Sequence, residues 1–353
     1  MDISVIIVSW NVKGLLEKCL ASIFKHTQKE NTPAKGVFSV AASRFGKPFS
    51  SDKNNDTIAR HAILSRDIVD NQKQPLLPVK PTAPPQGAAD GIIPQFEIIV
   101  VDNASSDGTV EMLEQYAPVA PHPIPLPKGE GTIRLIRNNK NRGFAAANNQ
   151  GIREAKGKYI LLLNPDTEFT ENSLKKVFDM MSAPGGSAWG GESDESIGVL
   201  GCTLLNPDGS LQPSVRRFPR LRDILIIFFK LYKLFPFLLD RYLAKDFDYS
   251  RKQEVDQVMG AFFCIRKSII DQIGPLDEKY FIWFEEVDFC RRAKAAGFKV
   301  VYWPGTSIIH HGGQSFGQAR TIKKQWWFFR SSWRYLTKYG CFVIILCYCS
   351  LII

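Results

Sequence analysis

Three polar clusters in the 353-residue chain sit directly behind apolar runs: Ser9, Trp10 and Asn11 after Ile3 to Val8, Asp102 and Asn103 after FEIIVV (96–101), and Asn164, Pro165 and Asp166 after YILLL (159–163). A carboxylate held at such a tip can ligate a hard divalent cation that bridges two phosphates. Mg²⁺, for one, takes few protein oxygens and completes its shell with phosphate and water. Ligands of open α/β sheets collect beyond the carboxyl ends of the strands, so the three polar tips point at one cleft. Each cluster also has a plainer reading. Asp166 suits the turn in NPDT, and Asp107 suits a cap for the helix that follows Asp102.

A second acidic cluster, Glu285, Glu286 and Asp288, lies in FIWFEEVDFCRRAKAAGFKV (281–300). From Glu285 onward the pattern predicts a helix that stops at Gly297, a good C-cap. Carboxylates at its start complement the helix dipole. Phe281, Trp283 and Phe284 make the approach apolar, which raises a carboxyl pKa toward the strength of a general base. His310 and His311 follow TSII (306–309) and precede Gly312 and Gly313. A histidine there suits a metal or a phosphate, or a structural place in the core. The seven cysteines show no paired metal spacing, and so irregular a set fits a reducing compartment better than a disulfide framework.

The elements that must position these groups alternate. Ile3 to Val8 predicts a strand buried on both faces, and Leu16, Cys19, Leu20, Ile23 and Phe24 recur at helical spacing. Strands are expected at 96–101, 133–136 and 159–163, with helices over 106–116 and 145–155. Repeated strand–helix alternation predicts an α/β fold with a parallel sheet and helices on both faces. Three segments break the rhythm and read as insertions: 31–94, with its late prolines, 119–131 (VAPHPIPLPKGEG) and the glycine-rich 183–194. The start, MDISVIIVSWN, lacks a basic leader and reads as a strand.

Net charge is +10 and the pI is near 9.2, a bias toward anionic partners. The basic residues form no known nucleic-acid recognition element, so none is expected as a partner. Instead they are interleaved with aromatics in two stretches, Arg220 to Leu243 and Lys323 to Lys338 (KKQWWFFRSSWRYLTK), followed by an apolar run from Cys341 to Ile353. Basic aromatic amphipathic segments suit a membrane interface, and ordinary packing against the core is the alternative. The last run is shorter than the roughly 20 apolar residues that span a bilayer.

Taken in order, VIIVSWN (5–11), IIVVDNASSDGT (98–109), NRGFAAANNQGI (141–152), YILLLNPDT (159–167), VMGAFFCIRK (258–267), FIWFEEVDFCRRAKAAG (281–297) and IIHHGGQS (308–315) resemble the family 2 inverting glycosyltransferases of GT-A fold, especially rhamnosyltransferase-like members. The resemblance implies a GT-A domain over 1–318, carrying the three insertions, and a membrane-associating segment over 319–353. It places Ser9, Trp10, Asn11, Asp102 and Asn103 on the nucleotide, and Gly143, Phe144, Asn148 and Asn164 beside the donor. Gly260, Ala261 and Trp283 fall on the acceptor side. Asp166, the remaining carboxylate of the usual Asp-x-Asp, and His310 would hold Mg²⁺ or Mn²⁺, with His311 a rival. Glu286 falls at the catalytic base, where Glu-Glu stands for the usual Glu-Asp, and Glu285 or Asp288 are the alternatives.

The implied reaction moves a sugar, with L-rhamnose the first expectation, from a dTDP- or UDP-linked donor to a hydroxyl of a polyprenyl-linked or polysaccharide acceptor in surface polysaccharide synthesis. The implied place is cytoplasmic, peripheral or C-terminally anchored on the inner face of the cell membrane. Two other classes compete. A catalytically inactive relative would keep the fold without turnover. A nucleotidyltransferase would show a glycine-rich basic loop after the first strand, and VSWNVKG is not one.

Overall fold

The computed structural model describes residues 1–27, 94–116, 132–182, 195–312 and 321–339. The expected insertions 31–94, 119–131 and 183–194, and the apolar run 341–353, lie almost wholly outside the described residues.

Strands β1 (Ile3–Ser9), β2 (Phe96–Asp102), β3 (Thr132–Arg137) and β4 (Tyr159–Leu163) form the parallel half of the sheet. The sheet continues through β5 (Thr167–Phe169), β6 (Ile197–Leu205), β11 (Phe262–Arg266) and β12 (Lys299–His310), in the order β3-β2-β1-β4-β11-β6-β12-β5. Short strands β7 (Leu211–Gln212) and β9 (Gln253–Glu254) pair at its margin, and β8 (Val215–Arg216) with β10 (Gln257–Val258) makes a separate two-stranded ladder. β11 runs antiparallel to β4 and β6, and β12 runs parallel to β6.

The pairing of β1 sets where a crevice opens. β1 pairs with β2 on one side and β4 on the other, both parallel, with Ser9 opposite Asp102 and Ile7 opposite Leu163. Chain order therefore reverses at β1/β4, a topological switch point where a crevice opens beyond the strand ends. Every residue of β1, β2 and β4 is buried, as expected of parallel strands covered on both faces.

Alternation along β1 assigns the two cores. Ile3, Val5 and Ile7 pack with Leu16 and Leu20 of α1 (Lys13–Thr27), Met112 and Leu113 of α2 (Thr109–Tyr116) and Leu174 of α4 (Ser173–Ser182). Ile6 and Val8 face Ala145, Ala147 and Ile152 of α3 (Phe144–Glu154), while on that same side lie Ile269 of α6 (Lys267–Ile273) and Phe289 of α7 (Glu285–Ala295). A third cluster joins α5 (Leu221–Phe228), residues 280–287 and α8 (Thr321–Lys338).

Several boundaries differ from the sequence expectation for physical reasons. The helix expected from Ser106 begins at Thr109, because Asp107 accepts both the Thr109 N–H at 3.1 Å and the Lys13 N–H at 2.9 Å, capping α2 and tying down the start of α1. Arg220 to Leu243, a basic aromatic amphipathic stretch in sequence, is not continuous helix. It is α5, a left-handed residue at Lys230 (φ 56°), and two 3₁₀ turns over 231–233 and 236–239, the second begun by Pro236. β12 is longer than TSII suggests, since a bulge between Trp303 and Ser307 absorbs Pro304 and Gly305. α7 does stop before Gly297 (φ +87°).

Candidate active site

At the β1 and β2 tips, the Ser9 hydroxyl and Asp102 Oδ1 are buried with no hydrogen-bond partner in the protein. Buried polar atoms without a partner are rare and costly, and such a pair suits a polar ligand at this wall. Asp102 Oδ2 accepts the Ser105 N–H at 3.1 Å, and Asn11 (φ 53°) accepts the Ser106 N–H at 2.7 Å, folding the loop over the crevice. Trp10 beside them is half-buried.

Asn103 departs from its expected part. Its Nδ2 donates to Asn141 Oδ1 at 2.9 Å and its Oδ1 accepts the Arg142 N–H at 3.0 Å and the Asn138 Nδ2 at 3.3 Å. With its side-chain amide committed to the protein, Asn103 is a post that holds loop 138–143. Asn148 likewise donates back to the Phe144 carbonyl at 2.9 Å and is buried.

Gly143 (φ +88°, ψ 168°) precedes α3 in a conformation reserved for glycine. It also lies so close to Phe281 that a Cβ would meet the Phe281 carbonyl oxygen at 2.5 Å. The next N–H, of Phe144, donates to that same carbonyl at 2.7 Å. Asn149, which the sequence reading passed over, grips Leu276 through both its backbone groups, at 2.8 and 3.1 Å. The donor-side loop and the segment leading to Glu285 thus share one wall.

On the β4 side, Asp166 and His310 come together. Both are buried, and His310 Nε2 lies 3.4 Å from Asp166 Oδ1 and 3.4 Å from Asn164 Nδ2. The tautomer follows from Gln212. Its Nε2 donates to Asn206 Oδ1 at 3.0 Å and to the His310 carbonyl at 3.3 Å, so its Oε1 must accept the proton of His310 Nδ1 at 2.6 Å. Nε2 is left with its lone pair toward Asp166. An imidazole oriented by a second partner, next to a carboxylate, is a donor set for a divalent cation that takes its other ligands from phosphate and water. His311 is not in this pair: its Nε2 bonds Glu168 at 2.8 Å. Among the described residues no group of three or more His, Cys, Asp or Glu gathers as a metal cluster.

Glu285 and Glu286 open α7 behind two consecutive left-handed residues, Trp283 (φ 61°) and Phe284 (φ 70°). Bulky side chains rarely adopt this region, and each costs about 1–3 kcal/mol. Packing sustains the bend: Phe284 lies against Phe328 and Tyr335 of α8, and the Ser331 hydroxyl donates to the Ile282 carbonyl at 2.8 Å. Glu285 is buried, Glu286 half-buried, and each has an Oε2 atom that is covered and unpartnered. Burial, and then the neighbouring Glu286, pushes the Glu285 carboxyl well above the usual range; burial raises Glu286 as well. Gly260 approaches the Glu286 side chain, with a would-be Cβ at 4.0 Å from its Cγ, and Ala261 accepts the Asn164 N–H at 3.1 Å.

Asp288 is the correction within this cluster. Fully buried, it is paired with Arg292 at 2.8 Å and Lys338 at 2.6 Å and accepts the Tyr339 hydroxyl at 2.8 Å. Lys338 of α8 and Tyr339 just beyond it reach Asp288 from the neighbouring helix. It is an ion-pair anchor tied to Arg292 and to α8.

A mixed sheet with a crevice at its switch point, unpartnered buried polar atoms on one side and a buried glutamate pair on the other suits group transfer from a phosphorylated donor. Residues 88–200 match the family described as glycosyl transferase family 2. Beyond that stretch the chain is similar to glycosyltransferases, rhamnosyltransferases among them. It is 26% identical over 234 residues to the N-acetylglucosaminyl-diphospho-decaprenol L-rhamnosyltransferase of Mycobacterium tuberculosis, covering 63% of this chain and 68% of that one. It is 27% identical over 247 residues to the rhamnosyltransferase WbbL of Escherichia coli, covering 69% and 83%. A solved mannosyltransferase, PcManGT from Pyrobaculum calidifontis in complex with GDP-Man and Mn²⁺, superposes with TM-score 0.44 and 13% identity over 88% of this chain and 56% of that one, a likeness too slight to carry more.

Proposed function

We propose that this chain transfers a sugar, with inversion at the anomeric carbon, from a nucleoside-diphosphate donor to a hydroxyl of a lipid-linked or polysaccharide acceptor. One observation carries the reading: the segment that presents Glu286 is bonded through Phe281 to Phe144, so a base and the nucleotide crevice share a wall. Ser9 and Asp102 accept hydrogen bonds from the nucleoside, with Trp10 and Asn11 beside it. Asp166 and His310 would hold Mg²⁺ or Mn²⁺, and the mixed carboxylate–imidazole pair suits Mn²⁺ better. A cation bound there supplies Lewis-acid stabilisation of the departing diphosphate charge.

Glu286 takes the proton of the acceptor hydroxyl as that oxygen attacks from the face opposite the leaving group. A carboxylate in an apolar enclosure is a stronger base than one in water, and such catalysis contributes about 10²–10⁴-fold. A single displacement needs no covalent sugar–enzyme intermediate. Gly260, Ala261 and Trp283 line the side from which the acceptor enters. The first-choice sugar is L-rhamnose from dTDP-rhamnose, followed by a UDP-linked sugar, and the acceptor is a polyprenyl-diphosphate saccharide; the names of the relatives support both. The place of action is the inner face of the cell membrane, with peripheral or C-terminal attachment and no nucleic acid as partner. Among the described residues no helix is long and apolar enough to cross a membrane.

The test is nucleoside-diphosphate release across a panel of nucleotide sugars, with Mn²⁺, Mg²⁺ or chelator and a lipid-linked acceptor. Cation-dependent release from one donor supports the reading. Folded protein that releases nothing from any donor points to an inactive relative.

A further inference from the structure

The C-terminal helix has two faces, and only one is explained by the site. Its buried face grips the segment before and after Glu286. Trp327 stacks on Phe281 with ring centroids 4.7 Å apart, Ser331 holds Ile282, and Arg334 reaches Asp277 at 2.6 Å. The opposite face presents Ile322, Trp326, Phe329 and Trp333, exposed at 82, 60, 39 and 45%. Their spacing of four, three and four residues makes a continuous stripe.

A second limb meets this stripe. Phe228 of α5 lies 5.9 Å from Phe329, ring to ring, and leads to Phe229, Leu234 and Phe237, exposed at 63, 74 and 63%. Large apolar side chains exposed side by side mark an interaction surface. Charge narrows the partner. α8 contains Lys323, Lys324, Arg330, Arg334 and Lys338 and neither Asp nor Glu; Arg334 and Lys338 are paired with Asp277 and Asp288 and Lys324 is buried, which leaves Lys323 and Arg330 exposed beside the stripe. The second limb, 221–239, carries Arg222, Lys230 and Lys233 against one acid, Asp223, which is fully buried and paired with Arg241 at 2.7 Å. A second copy would bring two basic faces together. The uncharged run 341–353 would leave the cations without counter-charge. Aromatic side chains set among lysines and arginines fit the interfacial zone of an anionic bilayer, where rings sit at head-group depth and cations meet lipid phosphate.

We propose that the aromatic face built by α5, the two 3₁₀ turns and the outer side of α8 is the seat of this protein on an anionic membrane surface. This deepens the reading of a lipid-linked acceptor and rests on it for its purpose, though not for its test. Because the inner side of the same helix holds Phe281 to Phe284, the seat fixes the Glu286 segment at a set height above the lipid head groups, where a polyprenyl-borne sugar would present its hydroxyl.

The experiment is co-sedimentation of the full chain with phosphatidylcholine vesicles, with and without about a third phosphatidylglycerol. Two variants probe the two limbs: Ile322→Ser with Trp326→Ser, and Phe229→Ser with Leu234→Ser and Phe237→Ser. All are exposed, so melting temperature and nucleoside-diphosphate release in lipid-free solution should match the parent. The expected result is binding that phosphatidylglycerol strengthens and salt weakens, with each variant losing about tenfold or more of its vesicle partition. Variants that bind like the parent would overturn the proposal. So would binding lost only on truncation after residue 339, or a lipid-free dimer that both variants dissolve. A failed donor panel with intact vesicle binding would reject the transferase reading alone.

Discussion

Gly143→Ala tests the shared wall between the donor loop and the base segment. At φ +88° and ψ 168° any β-carbon is strained, at a cost of about 1–3 kcal/mol. The new methyl would also stand 2.5 Å from the Phe281 carbonyl oxygen and 2.8 Å from its ring. Relief requires Phe281 to withdraw and surrender the 2.7 Å bond from the Phe144 N–H, roughly another 1 kcal/mol. The sum is about 2–4 kcal/mol. Gly209→Ala is the matched control, with φ +80° but nothing within 4 Å of its would-be Cβ, so it bears only backbone strain. Displacing the Phe281 segment also moves Glu286, and a shift on the order of 1 Å in a catalytic group costs about 10²-fold. Urea denaturation should show Gly143→Ala as the less stable of the two, and kcat for transfer should fall about 10²-fold in that variant alone. Equal stability and equal kcat for the two variants would refute the shared-wall reasoning.

Three further outcomes follow from other parts of the site. Glu285 and Glu286 both titrate above the ordinary glutamate value of 4.5. Their contribution to stability is therefore full below that value and is lost as pH rises through the folded pKa values, whereas activity rises as Glu286 loses its proton. The acid limb of kcat/KM should lie above 4.5 while melting temperature declines across the same window, and a limb at or below 4.5 contradicts the base assignment. Gln212→Leu frees the His310 tautomer and should weaken Mn²⁺ binding about 10–100-fold by calorimetric titration; unchanged affinity would remove His310 from the ligand set. Asp288→Asn strips the buried partner from Arg292 and Lys338 and should cost about 3 kcal/mol of stability without moving the acid limb. A moved limb would restore Asp288 as a candidate base.

The parallel half of the sheet was readable because strands covered on both faces must be apolar throughout, which leaves the polar tips Ser9, Asp102 and Asp166 conspicuous. The helix from Glu285 to its stop before Gly297 was equally plain. The three acidic residues at its start look alike in sequence, and what separates them is their partners: Arg292 and Lys338 pair with Asp288, whereas Glu285 and Glu286 each keep an unpartnered Oε2. The left-handed bend at Trp283 and Phe284 has no local signal, since those side chains disfavour it and only packing against Phe328 and Tyr335 sustains it. Gln212 and Asn149 were missed because their roles rest on partners 98 and 127 residues away. The 220–243 stretch has the composition of one amphipathic helix, and Lys230 and Pro236 break it into α5 and two turns.

Single-turnover transfer by wild type and Glu286→Gln, with the donor that the panel selects, tests the central claim most directly. The account predicts a loss of about 10²–10⁴-fold in the chemical step with donor affinity nearly unchanged, because Glu286 acts on the acceptor proton and not on the nucleotide. Full transfer by Glu286→Gln, or an equal loss only in Glu285→Gln, would contradict it.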